Sequence, residues 1–202
     1  NLMKLSILIP VFNEIKCIKA FTDRLFTCFQ KEEPQYIFIN DGSNDGTKEW
    51  LTKYLPSYRV SGTVKLINLP KNKGKGYALR KGIEVASGEY IMLLDSDLEY
   101  HPEDCLEMFK IITSTSNMEA LFGSRYLGGK IKYRKYLLNN IAVKVNTLIF
   151  NFLFKQSISD LHCGTKIISK KLFDKVKLSV NDFGFEIDLA GQIAKANKKI
   201  YQ

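Results

Sequence analysis

Acidic residues gather at three points of this 202-residue sequence, each directly after a short apolar run. The segments are Pro10-Val-Phe-Asn-Glu14, Asn40-Asp41-Gly-Ser-Asn-Asp45-Gly and Asp95-Ser96-Asp97-Leu-Glu99. The last is the sharpest, with the carboxylates of Asp95, Asp97 and Glu99 within five residues. Hard divalent cations such as Mg2+ take one or two carboxylates and complete their shell with phosphate oxygens. An ion held there would bridge the protein to a diphosphate. The competing reading is a solvated loop ahead of a helix at Pro102. Asp41, at the end of its run, reads as a ligand contact. Asp45 reads as the cap of the following helix. An EF-hand is excluded, because Thr52 stands at the twelfth loop position, where Glu is needed. The segment 71–76, Lys-Asn-Lys-Gly-Lys-Gly, offers flexible basic backbone ahead of a helix, which suits phosphate. It has no G-K-[ST], and Leu79 replaces the last glycine of a dinucleotide fingerprint.

These groups need a scaffold that gathers them. Residues 5–9, 36–39, 64–67 and 90–94 read as strands: short, apolar and bounded by turn residues. Helices are expected over 14–29, 45–55 and 75–86, with Gly88 ending the third. Strand–helix alternation implies a mostly parallel α/β sheet with helices on both faces. Ligands of such sheets bind beyond the carboxyl ends of the strands, where the acidic residues stand. Beyond residue 101 the expectation is a helix over 102–113, a strand over 120–123 and a loop carrying Lys130, Lys132, Arg134 and Lys135. A helix over 136–154, a strand over 165–168 and a helix over 185–196 follow. The helix over 136–154 spaces Leu138, Ile141, Val145, Leu148, Ile149 and Phe152 as one stripe. That stripe suits either a core or a membrane surface flanked by Lys135 and Lys155.

Composition sets the outer limits. Hydrophobic residues are 45% and charged residues 25%, which excludes disorder as the main state. One domain is expected, with a first half over 1–100 and a second over 101–202. The net charge of +9 is uneven: 14 basic against 12 acidic residues in the first half, 16 against 9 in the second. A basic half calls for an anionic partner: nucleic acid, a phosphorylated small molecule or a lipid surface. Cys17, Cys28, Cys105 and Cys163 are too dispersed for a C-x-x-C site and read as reduced core residues. Asn13 and Glu14 interrupt the first apolar run, so it is no signal peptide. No run of about 18 apolar residues spans a bilayer. With no N-x-[ST] sequon either, the expected location is cytoplasmic.

Taken in order, "ILIPVFNE", "INDGSNDGT", "NKGKGYALRKGI", "GEYIMLLDSDLEYHPED", "FGSRYLGG", "SDLHCGTKIISKKLF" and "FGFEIDLAGQIAK" resemble the family-2 glycosyltransferases with the glycosyltransferase-A fold. They are most similar to the branch of dolichyl- and polyprenyl-phosphate sugar synthases. The resemblance covers nearly the whole chain. It implies an inverting, metal-dependent transferase of the cytoplasmic membrane face, using Mg2+ or Mn2+. Its donor would be a UDP- or GDP-sugar, and its acceptor a polyprenyl phosphate or a cell-envelope glycan.

Residue by residue, the resemblance places Pro10, Phe12 and Glu14 in the nucleotide pocket, Asp41 on the base and Lys75 near the nucleotide. Asp95, Ser96 and Asp97 become the D-x-D segment that holds sugar nucleotide and metal, with Glu99 a further ligand. Arg125 would face the phosphate or acceptor. Asp160, Lys166, Glu186 and Asp188 fall in the acceptor half, the last two as candidate bases for an alcohol acceptor. They also read as first-turn helix residues facing the dipole. Three departures stand out: Asn40 where the family often has Asp, Glu99 where it often has Gln, and Lys166 where the branch often has Arg. Relatives commonly continue past the last strand-like segment, Ile200-Tyr201-Gln202, often into membrane helices, so a C-terminal extension is expected. Two rivals remain. A sugar-nucleotide nucleotidyltransferase would carry a glycine-rich signature near the first strand, and 10–14 holds no glycine. A non-catalytic nucleic-acid module fits the charge but not three acidic strand ends, so no nucleic acid partner is expected.

Overall fold

The structure, a computed structural model, describes residues 4–97, 101–127, 137–182 and 184–202. A single six-stranded sheet runs through them in the order β3-β2-β1-β4-β6-β5. The strands are β1 (Leu5–Val11), β2 (Gln35–Asn40), β3 (Thr63–Asn68), β4 (Tyr90–Leu93), β5 (Ala120–Phe122) and β6 (Lys166–Ser169). The first four pair in parallel with one another, as the strand–helix rhythm requires. β6 runs antiparallel to both β4 and β5. Tyr201 adds a parallel bridge to Leu121, in keeping with the strand-like end of the chain.

The helices are α1 (Ile18–Cys28), α2 (Thr47–Tyr54), α3 (Lys75–Ile83), α4 (Pro102–Ser114), α5 (Leu137–Phe154), the single turn α6 (Lys170–Phe173) and α7 (Phe185–Lys195). Side-chain alternation along the strands divides the core into two layers. Leu5, Ile7, Ile9 and Val11 of β1 pack with Phe21 and Leu25 of α1, Leu51 of α2 and Phe109 of α4. Leu8 points to the other face and joins Ala78 and Leu79 of α3 with Phe185, Leu189 and Ile193 of α7. Strands buried on both faces are the reason their sequences read as unbroken apolar runs.

Several boundaries differ from the sequence expectation. α1 starts at Ile18, not residue 14; the amides of residues 13–15 donate to Ser43, Thr47 and Asp45, which pins this turn to the segment after β2. α3 stops at Ile83, well before Gly88. Gly88 instead crosses β1, where a Cβ would lie 2.4 Å from the Ser6 nitrogen. The largest difference is α5. Ile141, Val145, Leu148, Ile149 and Phe152 all face solvent, while Thr147 and Phe150 point inward. The periodic stripe is real, but it is not the packed face. Among the described residues no helix is long and apolar enough to cross a membrane. All four cysteines are free, with Cys105 and Cys163 buried.

Candidate functional site

The winding reverses between β1 and β4: β2 and β3 lie to one side of β1, and β4 to the other. Such a switch point opens a crevice beyond the strand ends. Here it is a cavity of about 510 Å³, lined by Pro10, Phe12, Glu14, Asp41, Lys75, Asp95, Ser96 and Asp97, together with Val11, Asn72 and Gly74. Every residue expected on the nucleotide side therefore lines one space.

Backbone amides and short side chains fix its walls. Ser96, almost wholly buried, donates its hydroxyl to the Pro10 carbonyl at 3.1 Å and ties the end of β4 to β1. The Asp41 carboxylate accepts from the backbone of Lys73 at 2.8 Å and of Gly74 at 2.9 Å. It thus fixes, from a different strand end, the loop that leads into α3. Gly42, at φ +68°, lets the same loop approach: a Cβ there would sit 2.4 Å from the Lys71 carbonyl carbon. Asn40 donates to Asn68 Oδ1 at 2.9 Å and accepts from Ser43 N at 3.1 Å. An ionised aspartate could not make the donated bond, which accounts for asparagine at this position. Asp45 accepts from the Thr47 amide at 3.0 Å, so it does serve the start of α2.

Three groups escaped the sequence reading. Asn72 lines the cavity, although within the 71–76 segment the sequence singles out only Lys75. Asn13 takes φ 57° and accepts from the Asn44 amide, a left-handed turn that asparagine tolerates. Cys17 donates its thiol to Glu14 Oε2 at 2.8 Å. Burial, reinforced by that carboxylate, pushes the thiol up to about 12. Its spacing of three from Glu14 was the available signal.

Charged groups gather around and behind Lys75. Lys75 Nζ lies 2.7 Å from Asp95 Oδ1 and 2.7 Å from Glu186 Oε1. Burial alone would lower the pKa of this ammonium, but the two carboxylates outweigh it and hold it above the ordinary lysine value. Lys166 on β6 is fully buried, donates to the Cys163 carbonyl and lies 4.9 Å from the centroid of the Phe122 ring. Burial lowers its pKa, against the pull of Glu186. Asp188 faces elsewhere: its Oδ2 accepts from the amides of Ser179 at 3.0 Å and Val180 at 3.4 Å.

Arg125 forms a separate centre. Its Nε and Nη2 grip Asp160 at 2.6 and 2.7 Å, a bidentate pair. Asp160 is 0% exposed and Arg125 keeps 20% of its side chain in contact with solvent. Burial would raise the pKa of Asp160, but the guanidinium holds it below the ordinary carboxylate value. Arg125 also borders a cavity of about 470 Å³, lined largely by apolar groups including Met108, Met118 and Leu121. α5 packs beside this centre: Thr147 accepts from the Leu161 amide, and Lys144 Nζ lies 5.7 Å from the Tyr126 ring centroid.

Glu99 and the basic loop with Lys130, Lys132, Arg134 and Lys135 lie outside the described residues. Among the described residues no three His, Cys, Asp or Glu side chains form a metal-holding group. Asp95 and Asp97 on one cavity wall do suit a hard cation that is completed by phosphate oxygens.

The description Glycosyl transferase family 2 matches residues 6–177. Dolichol-phosphate mannosyltransferase from Pyrococcus furiosus is 30% identical over 190 residues, covering 92% of this chain and 51% of the relative. Human dolichyl-phosphate beta-glucosyltransferase is 29% identical over 201 residues, covering 92% and 61%. This chain thus spans about half to three-fifths of the length of these relatives. Glucosyl-3-phosphoglycerate synthase from Mycobacterium tuberculosis, solved with Mn2+, UDP and glucosyl-3-phosphoglycerate, shares the fold. It superposes with a TM-score of 0.74 at 18% identity, covering 98% of this chain and 70% of that one.

Proposed function

This chain belongs to glycosyl transferase family 2, and on that premise we propose that it moves a sugar from a UDP- or GDP-sugar to a polyprenyl phosphate with inversion. The donor would occupy the cavity between β1 and β4, its diphosphate towards Asp95 and Asp97. Asp95 and Asp97 would hold a divalent cation, which would supply Lewis-acid stabilisation of the departing diphosphate. The chain's own part is positioning. Asp41 fixes the backbone of residues 73 and 74, Ser96 fixes the D-x-D segment, and Phe12 and Glu14 border the nucleotide. The dolichol- and dolichyl-phosphate names of the relatives support this reading, as does the Mn2+ and UDP complex of the structural neighbour.

One observation carries the acceptor assignment. Both candidate bases are engaged: Glu186 with Lys75, and Asp188 with two backbone amides. An alcohol acceptor requires a group to take its proton. A lipid phosphate is already ionised and requires none. Arg125, held by buried Asp160, offers the cation that would meet it.

The lipid also explains the outward face of α5. Phe152 is 85% exposed and Leu148 70%. Between Glu119 and Asp160 the sequence carries seven Lys and Arg residues and no Asp or Glu. An apolar stripe within an acid-free basic stretch fits an anionic bilayer surface, whereas a second copy would set like charges together. α5 would lie at the interface beside Arg125, bringing the lipid headgroup to the site. Incubation with radiolabelled UDP- or GDP-sugar, Mn2+ and polyprenyl phosphate tests the reaction. Label in the organic phase is the expected result, and transfer only into water-soluble glycan would reject it.

A further inference from the structure

Lys75 Nζ touches both oxygens of Asp95, at 2.7 and 2.8 Å, and Oε1 of Glu186 at 2.7 Å. The three side chains are 13%, 22% and 8% exposed. Asp95 therefore already faces a cation through both of its oxygens. A divalent ion taking the same carboxylate would stand beside an ammonium in poorly screened surroundings, where like charges repel strongly. Asp97 adds a second carboxylate, but two do not make a cage for a hard cation without other oxygens. A diphosphate alters this balance. It supplies those oxygens and enough negative charge for metal and ammonium to face it together.

We propose that Lys75 is the built-in counter-ion of Asp95, which it releases only when metal and donor diphosphate arrive together. Lys75 then turns to the diphosphate, and Glu186 keeps hold of it throughout. The metal therefore enters with the nucleotide and not before it. This rests on the donor-site reading above and adds an order of binding to it. Lys75 thus sets when Asp95 becomes available.

The test measures Mn2+ binding by electron paramagnetic resonance of the free ion, without nucleotide, in wild type, Lys75→Met and Lys75→Arg. Lys75→Met should bind Mn2+ alone at least about tenfold more tightly than wild type, because the competing charge is gone. Lys75→Arg, which keeps the charge, should stay within about threefold of wild type. Equal or weaker Mn2+ binding by Lys75→Met overturns the proposal, as does a gain of the same size in Lys75→Arg. Should Lys75→Met not fold, the wild-type protein decides. Weak Mn2+ binding that UDP or GDP tightens by about 30-fold or more supports the counter-ion, and micromolar Mn2+ binding without nucleotide overturns it. If calorimetry shows that neither UDP nor GDP binds, the donor-site reading fails, while the Mn2+-only comparison of variants still decides the role of Lys75.

Discussion

The crevice between β1 and β4 and the surface around α5 treat their surroundings in opposite ways. In the crevice, polar side chains are pinned before any ligand arrives: Asp41 by two amides, Ser96 by a carbonyl, Asp95 by an ammonium. Donors and acceptors fixed in advance lose little freedom on binding, which is how small, highly charged ligands are selected. Around α5 one polar anchor is fixed, Arg125 on Asp160, and beside it an apolar stripe stays uncovered. On the proposed reading, the first region would recognise a molecule, and the second a broad apolar partner such as a bilayer surface.

The contrast breaks first at the D-x-D segment. Asp97→Asn should lower transfer by about a thousandfold, the scale of removing one fixed electrostatic contribution to a leaving group. UDP affinity in the presence of Mn2+ should fall with it in calorimetry. Unchanged affinity would mean that the crevice does not select through a metal. Asp160→Asn comes next, because it leaves the buried end of Arg125 without its charge. Urea denaturation should show a loss of about 3 kcal/mol. The sign with pH is fixed by the depressed pKa of Asp160. Its stabilisation is present above the ordinary carboxylate value of about 3.9 and is lost as pH falls below it through the folded value. Wild type should lose that stability on acidification and Asp160→Asn should not.

The α5 surface offers a smaller effect of a different kind. Replacing Leu148 and Phe152 together by Glu should weaken binding to phosphatidylserine-containing vesicles by about 30-fold, roughly 2 kcal/mol of lost apolar burial and charge attraction. The melting temperature should hardly move, because both side chains are exposed. Equal sedimentation of wild type and variant with vesicles would remove the membrane from the account. A loss of solution dimer in the variant would assign the stripe to a second copy.

The crevice was legible in the sequence for a local reason. Its residues follow strand ends directly, and parallel strands deliver their carboxyl ends to one edge. Asp41, Asp95 and Asp97 could thus be gathered without coordinates. What those side chains touch was not legible. The amides that hold Asp41 lie 32 and 33 residues away, and the partner of Lys75 on α7 lies 111 residues away. The α5 stripe shows the same limit: a period of 3.6 reveals a face, but the side on which the rest of the chain lies depends on long-range packing. The antiparallel β6 follows a long excursion through α4, β5 and α5, so the simple alternation rule no longer governs it.

Glu186 and Asp188 give the finest test of the acceptor reading, since they sit two residues apart on α7 and hold different partners. Glu186 pairs with Lys75 of the crevice, while Asp188 holds the backbone of residues 179 and 180. That backbone in turn leads to Asn181, whose carbonyl accepts from the Tyr77 amide of α3. Asp188→Asn keeps one acceptor oxygen and loses the charge, so it should cost about 1 kcal/mol of stability. Transfer to a lipid phosphate should then stay within about threefold of wild type, because that acceptor brings no proton to remove. A loss of a hundredfold or more at unchanged stability would identify Asp188 as a base. The acceptor would then have to be a hydroxyl, and the basic stretch around α5 would have to serve something other than a lipid phosphate.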